Sequence, residues 1–181
     1  MEDKVKIFVT SDTWFNRPCG THYGERCSEY NMNIVKNWNS VVSENDTVYV
    51  LGGFGIGDIY DMVFRLNGNI VFMDMFLSPD EGKAREMMTD FIRKSVDVTL
   101  RDRISFSEKQ IKVLYDKDVV LSYFPLADWY GRRNGSVCFH GMDYDTDMNN
   151  NNICCNASKW DFKPVDIDSV VTNMEKFKSM L

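Results

Sequence analysis

The chain reads as a layered α/β sandwich, with a parallel part followed by an antiparallel part. Three observations predict this. Strand-like and helix-like segments alternate through the first half, whereas the second half carries mostly short strands. The run Thr47 to Leu51 is apolar almost without a break, as in a sheet covered on both faces. The length, 181 residues, suits one domain spanning residues 1–181 whose core needs no disulfide staples.

Val5 to Thr10 is the first strand, a β-branched and aromatic run that ends in the polar turn Ser11-Asp12-Thr13-Trp14. A buried strand that delivers a carboxylate at its C-terminal tip is a common way for an α/β sheet to begin a site. Phe15 to Arg26 is a loop. Ser28 caps a helix from Glu29 to Ser43, in which Ile34, Trp38, Val41 and Val42 recur at helical spacing. Asn45-Asp46 turns the chain into the second strand, Thr47 to Leu51, which runs into Gly52-Gly53-Phe54-Gly55-Ile56-Gly57. Asp58 caps a short helix to Leu66, and Asn67-Gly68 turns into the third strand, Asn69 to Met73. Ser78-Pro79-Asp80-Glu81 opens a helix to Lys94. Arg103 to Phe106, Lys109 to Tyr115 and Asp118 to Tyr123 read as consecutive antiparallel strands joined by tight turns. Ser136 to Phe139 and Ile153 to Ala157 are further strands. Between them lies an acidic, Asn-rich loop, Asp143 to Asn152, without core-forming content. Asp166 to Met180 is a C-terminal helix with Val170, Met174 and Phe177 on one face.

Bulk composition narrows the function. There are 27 acids against 21 bases, a net charge of −6, which argues against nucleic acid as a non-specific partner and gives no polybasic attraction to a membrane. No apolar run reaches the ~18 residues of a transmembrane helix. The start Met-Glu-Asp-Lys lacks the basic and apolar regions of a signal peptide, so the expected location is the cytoplasm. The five cysteines, Cys19, Cys27, Cys138, Cys154 and Cys155, show no CxxC spacing and read as reduced thiols.

The segments together resemble the calcineurin-like metallophosphoesterases, in particular small bacterial and phage-type members. Val9-Thr10-Ser11-Asp12-Thr13-Trp14 stands where that family writes an Asp-x-His motif. Asp46-Thr47-Val48-Tyr49-Val50-Leu51-Gly52 resembles its second strand. Leu66-Asn67-Gly68-Asn69-Ile70-Val71 resembles the approach to its Gly-Asn-His-Asp motif. Val119-Val120-Leu121-Ser122 with Phe124-Pro125-Leu126 surrounds the place of a metal-binding His, Phe139-His140-Gly141 leads into the place of Gly-His-x-His, and Phe162-Lys163-Pro164-Val165 resembles the closing stretch. The resemblance implies an α/β/β/α sandwich of the calcineurin-like type, with mixed sheets and flanking helices.

The family's chemistry uses two metal ions about 3.5 Å apart to clamp a phosphate and generate hydroxide. On the matching positions, the first Asp is present as Asp12. Its His position holds Trp14, the bridging Asp falls at Gly53, the Asn at Asp74 and the following His at Met75. The next metal-binding His is Tyr123, and the last two are Met142 and Tyr144. Trp has no lone pair to donate, Gly has no side chain, Met is a poor ligand for hard ions and Tyr ionises only near pH 10. The resemblance therefore implies the fold while the substitutions argue against the catalysis. The expectation is no metal ligand, no cofactor and no catalytic residue, with Asp12, Trp14, Gly53, Asp74, Met75, Tyr123, Met142 and Tyr144 lining a vestigial pocket. Asp12 itself is expected to accept hydrogen bonds from loop amides.

Other features carry less. His22 and His140 fall on no ligand position. The glycine-rich loop lacks the spacing of a dinucleotide fingerprint. Asp143, Asp145 and Asp147 fail as an EF-hand loop, because the sixth and twelfth places hold Met148 and Cys154. Arg17, Arg26, Arg132 and Arg133 read as solvated charge, or as a rim that greets an acidic partner or a phosphate without metal. The expected function is a catalytically inactive binding module with a protein partner, a host factor in the host cytoplasm if the chain is phage-encoded. The alternative is a metal-dependent phosphoesterase or phosphodiesterase with a rebuilt site, one ion resting on Asp12, Asp74 and a loop acid.

Overall fold

In the computed structural model, residues 4–17, 28–57, 59–73, 79–94, 98–143 and 151–179 are described. Their elements in chain order are β1 (Ile7–Thr10), α1 (Ser28–Asn39), β2 (Thr47–Val50), α2 (Tyr60–Arg65), β3 (Asn69–Phe72), α3 (Pro79–Lys94), α4 (Val98–Arg103), β4 (Ile104–Phe106), β5 (Ile111–Leu114), β6 (Val119–Ser122), β7 (Val137–His140), β8 (Asn152–Cys154), β9 (Val165–Asp166) and α5 (Ile167–Ser179). They form an α/β structure with two mixed sheets. One runs β4-β3-β2-β1-β9, the other β5-β6-β7-β8.

The twofold period of the strands sorts side chains into two cores. Phe8, Val48, Val50, Ile70, Phe72 and Ile104 leave one face of the first sheet and pack against Ile34, Val35 and Trp38 of α1, Val63 of α2, and Met88 and Ile92 of α3. The α1 residues recur at the helical period, and Trp38 is fully buried with its indole N–H donating to the Asn67 carbonyl. Val9, Tyr49, Leu51 and Met73 leave the other face. They meet Leu114, Val119, Leu121, Tyr123, Val137, Phe139 and Ile153 from the second sheet. From α5, Ile167, Val170, Val171 and Met174 join this inter-sheet core. The first turn of α5 is tied down by Asp168, which accepts from Lys4 and Lys117; the Lys117 ammonium is the larger reason its carboxyl lies below the ordinary range. No helix among the described residues is long and apolar enough to cross a membrane.

Several expectations are corrected. Ile104–Phe106 does not pair antiparallel with the next strand. It is the parallel edge neighbour of β3, reached through α3 and α4. Only β5 and β6 form the expected antiparallel pair, and β6-β7 and β7-β8 are parallel. Helix α4 forms between α3 and β4, where the sequence reading assigns no element, although Val98 and Thr99 are poor helix formers. The short strand β9 pairs antiparallel with β1 just before α5. The end of the Asn-rich loop, read as lacking core-forming content, is buried at Asn151 and Asn152. Asn151 donates to the carbonyls of Gly135 and Ser136, and Asn152 donates to that of Leu126. The chain from Tyr123 to Ser136 is thus bonded to β8 as it connects β6 to β7. The expected cap Asp58 lies outside the described residues, and Ile59 precedes α2 without a side-chain cap.

Asp46, read from sequence as a turn residue, ties the sheet's lower end together. Its carboxylate accepts from the backbone N–H of Lys6 and of Ser43, both at 2.8 Å, and its carbonyl accepts from Asn69 N at 2.7 Å. The side chain is buried. Asp46→Ala leaves two backbone donors without their charged acceptor, and hydrogen bonds to charged groups contribute about 1.5–3 kcal/mol each. The expected loss in a urea titration at neutral pH is about 3 kcal/mol. A loss below about 0.5 kcal/mol would remove Asp46 from this role.

Candidate functional site

Beyond β1 the chain keeps pairing with the segment after β2, but irregularly. Asp12 N donates to Gly52 O, Trp14 N to Gly53 O and Phe15 N to Phe54 O, at 2.9, 2.8 and 2.8 Å. Three residues here are left-handed: Asp12 at φ 54°, Trp14 at φ 50° and Asn16 at φ 62°. Each costs on the order of 1 kcal/mol in an L-residue, and such strain persists only where the surroundings over-determine it. The surroundings do so. Thr13 Oγ1 donates to Phe54 O, Tyr30 Oη donates to Thr13 O, and Asn16 and Asn31 bond reciprocally. Phe15 is fully buried with its ring centroid 5.0 Å from that of Phe54.

This turn delivers the Asp12 carboxylate into the space between the ends of the two sheets. Asp12 is 9% exposed. Tyr123, which follows β6, donates its hydroxyl to Oδ1 at 3.3 Å and lies 3.5 Å from Oδ2. Asn156 Nδ2 donates to Oδ2 at 2.7 Å. Asn156 is itself held twice, because its Oδ1 accepts from the backbone N–H and the hydroxyl of Ser158. Ser11 and Asn156 form an isolated bridge, and Ala157 N donates to Ser11 O. Gly53 completes the arrangement by absence of a side chain. A Cβ there would lie 1.9 Å from Asp12 Oδ1.

Of the residues expected to share a vestigial pocket, the structure brings Asp12, Gly53 and Tyr123 into direct contact. Met142 is adjacent, its N–H donating to Tyr123 O, and it is half-buried. Trp14 is half-buried and carries the Arg17 guanidinium 5.9 Å from its ring centroid. Asp74, Met75 and Tyr144 lie outside the described residues, as do His22, Cys19, Cys27 and Arg26. Among the described residues, the Asp12 carboxylate accepts from two side chains, the Tyr123 hydroxyl and the Asn156 amide. Asn156 was not singled out from sequence. Its one local signal is the Asn-x-Ser spacing to Ser158, which supports a side-chain cap at the end of a strand.

Next to this clamp lie groups of shifted acidity. Burial pushes the Cys155 thiol well up, and the neighbouring Cys154 and Asp12 add to this; Cys155 Sγ donates to His140 O. Burial likewise pushes Cys138 up to about 12. Neither is a ready nucleophile. His140 is fully buried, and its Nδ1 lies 2.9 Å from Met142 O. Burial lowers its basicity, the Met142 carbonyl works against this, Lys159 adds to the lowering and Asp143 opposes it. Because the folded protein holds this ring neutral, the unfolded chain takes the proton first as pH falls below the ordinary value of 6.5. The contribution is therefore complete above that value and is lost progressively below it. His140→Gln is expected to flatten the stability–pH profile just below 6.5, read by urea midpoints. An unchanged slope would assign the dependence to other groups.

The arrangement offers one carboxylate with neutral donors on it. Two hard cations would require several further anionic or imidazole ligands. Among the described residues no group of three or more His, Cys, Asp or Glu could hold a metal ion. Among the described residues, the donor set around Asp12 does not fit a two-ion centre.

Comparison with known proteins adds fold and little else. No family model matches the sequence. The chain is 36% identical over 77 residues to the uncharacterized protein MJ1445 of Methanocaldococcus jannaschii, a match that covers 38% of this chain and 44% of that relative. It thus spans less than half the length of that protein. The crystal structure of AQ665 from Aquifex aeolicus, a protein of unknown function, is similar with a TM-score of 0.59 at 18% identity, over 92% of this chain and 98% of that one.

Proposed function

We propose that this chain has the calcineurin-like phosphoesterase architecture with its two-ion centre replaced by a hydrogen-bonded clamp, and that it acts as a binding module. The observation that carries this reading is the Asp12 carboxylate, closed over Gly53 and held by Tyr123 and Asn156. The family's chemistry would need that carboxylate to face a cation, with a second acid at position 53. Here position 53 carries no side chain, and the Asp12 carboxylate accepts from Tyr123 and Asn156 instead. Folds outlive their chemistry, because the scaffold and the site are separable. Beside the engaged Asp12 carboxylate, the described residues include half-buried Trp14 and Met142, with Phe124 exposed beside Tyr123. Aromatic and thioether side chains of this kind supply the anchors of protein interfaces. A protein partner is the occupant this composition suits.

Elemental analysis of the purified protein for Mn, Fe, Zn and Ni, together with an aryl phosphodiester assay in added Mn²⁺, tests the reading. The expected result is sub-stoichiometric metal and no turnover above buffer. Stoichiometric metal with turnover abolished by Asp12→Ala would replace it with a metal-dependent phosphodiesterase built on a non-standard site.

A further inference from the structure

The chain contains two Asn-Gly steps, Asn67-Gly68 and Asn134-Gly135, in opposite environments. Asn is among the chemically labile side chains. In an Asn-Gly step the following backbone nitrogen meets little steric hindrance on its way to the side-chain amide carbon. The reaction needs that nitrogen to reach Cγ, so the local turn must open, and its rate follows the free energy of local opening.

At Asn67 opening is opposed from every side. Its N–H donates to Asn39 Oδ1 at 2.9 Å, its Nδ2 donates to Val42 O at 3.0 Å, and its carbonyl accepts from the Trp38 indole at 3.0 Å. The turn packs on the side chain of Val42, and the next residue, Asn69, bonds to Asp46 O. Asn134 is the converse. It ends a single 3₁₀ turn, Arg132–Asn134, and Gly135 follows at φ 94°. Both residues are exposed, and a Cβ on Gly135 would meet nothing within 4 Å. The turn is closed by backbone bonds from Asn134 N and Ser136 N to Gly131 O and from Gly135 N to Arg132 O, the last at 3.1 Å, and Asn151 Nδ2 donates to the Gly135 carbonyl at 3.0 Å.

We propose that Asn134 is a site of spontaneous deamidation in the folded protein and that Asn67 is protected by its hydrogen bonds. Gly135 N, on losing its proton, attacks Asn134 Cγ. The Cγ–N bond to the amide breaks, ammonia leaves and a succinimide ring remains. Water then adds to one of the two ring carbonyls, giving aspartate or isoaspartate at position 134. Either product places a new carboxylate beside exposed Arg132 and Arg133. The isoaspartyl form also lengthens the main chain by one methylene, which is incompatible with the bond from Gly135 N to Arg132 O. The turn rests on Ser136, whose hydroxyl donates to Tyr130 O and accepts from the Trp129 indole. The isoaspartyl chain therefore loosens this connection between β6 and β7.

The test is peptide mapping by mass spectrometry after incubating the native protein in mildly alkaline buffer, with a urea-unfolded sample in parallel. In the native protein the amide-to-acid conversion is expected at Asn134 at least tenfold faster than at Asn67. In urea the two steps should convert at similar rates, because both are then Asn-Gly in an open chain. Asn134→Gln should abolish the native-state signal. Equal native rates at the two positions would overturn the proposal. So would an Asn134 unchanged in the native protein while it converts in urea.

Discussion

Gly53→Ala is expected to destabilise the fold severely. The new Cβ would lie 1.9 Å from Asp12 Oδ1, and rotating that carboxylate away does not solve the problem, because the Asp12 Cα is only 2.7 Å distant. Main chain must therefore move, and the residue would also sit at φ 60°. Overpacking costs about 1–3 kcal/mol. The left-handed conformation adds about 1–2 kcal/mol. Moving the carboxylate off its partners adds about 1–3 kcal/mol more. A total near 5 kcal/mol is a large share of the ~5–15 kcal/mol that stabilises a typical domain. Gly57→Ala is the control. Gly57 has nearly the same dihedral, φ 64°, but no atom within 4 Å of an added Cβ. It should cost only about 1 kcal/mol, the strain alone. Urea unfolding of the two variants side by side separates clash from conformation, and equal losses would show that position 53 is not specially confined.

The second large effect is expected at Asp12. Asp12→Ala deprives the buried Asn156 amide and Tyr123 hydroxyl of their shared acceptor, and each stranded donor costs about 1–3 kcal/mol. Asn156 keeps its bonds to Ser158, so the loss falls on its Nδ2 alone. The expected destabilisation is about 3 kcal/mol. The double variant Asp12→Ala with Tyr123→Phe should lose less than the sum of the two single variants, because Phe leaves no hydroxyl to satisfy. Additive losses would place the Tyr123 hydroxyl outside the clamp.

Much of the fold was legible from period and punctuation. The alternating strands and helices of the first half follow directly from apolar spacing, and so do Trp38 and Ile34 as core anchors. Strand orientation was not legible in the second half. Val137–His140 and Ile104–Phe106 are short apolar runs, which look alike in parallel and antiparallel pairs, and their partners are decided by the path of the chain between them. Helix α4 escaped because it is only six residues long and opens on the poor helix formers Val98 and Thr99. At the site, Asp12, Gly53 and Tyr123 could be placed together by resemblance. Asn156 could not, since its bond to Asp12 spans 144 residues of sequence and no local pattern announces it. Asp46 shows the reverse case, a turn residue in sequence whose buried carboxylate holds Lys6 and Ser43 while its carbonyl holds Asn69.

On the proposed reading, the Asp12 carboxylate is a partner of side chains and not of cations. Thermal unfolding with and without excess Mn²⁺ examines this most directly. A cation bound at about a hundred times its Kd would stabilise the folded state by roughly 2.7 kcal/mol, which for a chain of this size raises the midpoint by about 5–10 °C. The expected midpoint is the same with and without Mn²⁺, in the wild type and in Asp12→Ala alike. A concentration-dependent rise that disappears in Asp12→Ala would contradict the clamp and return the carboxylate to a metal.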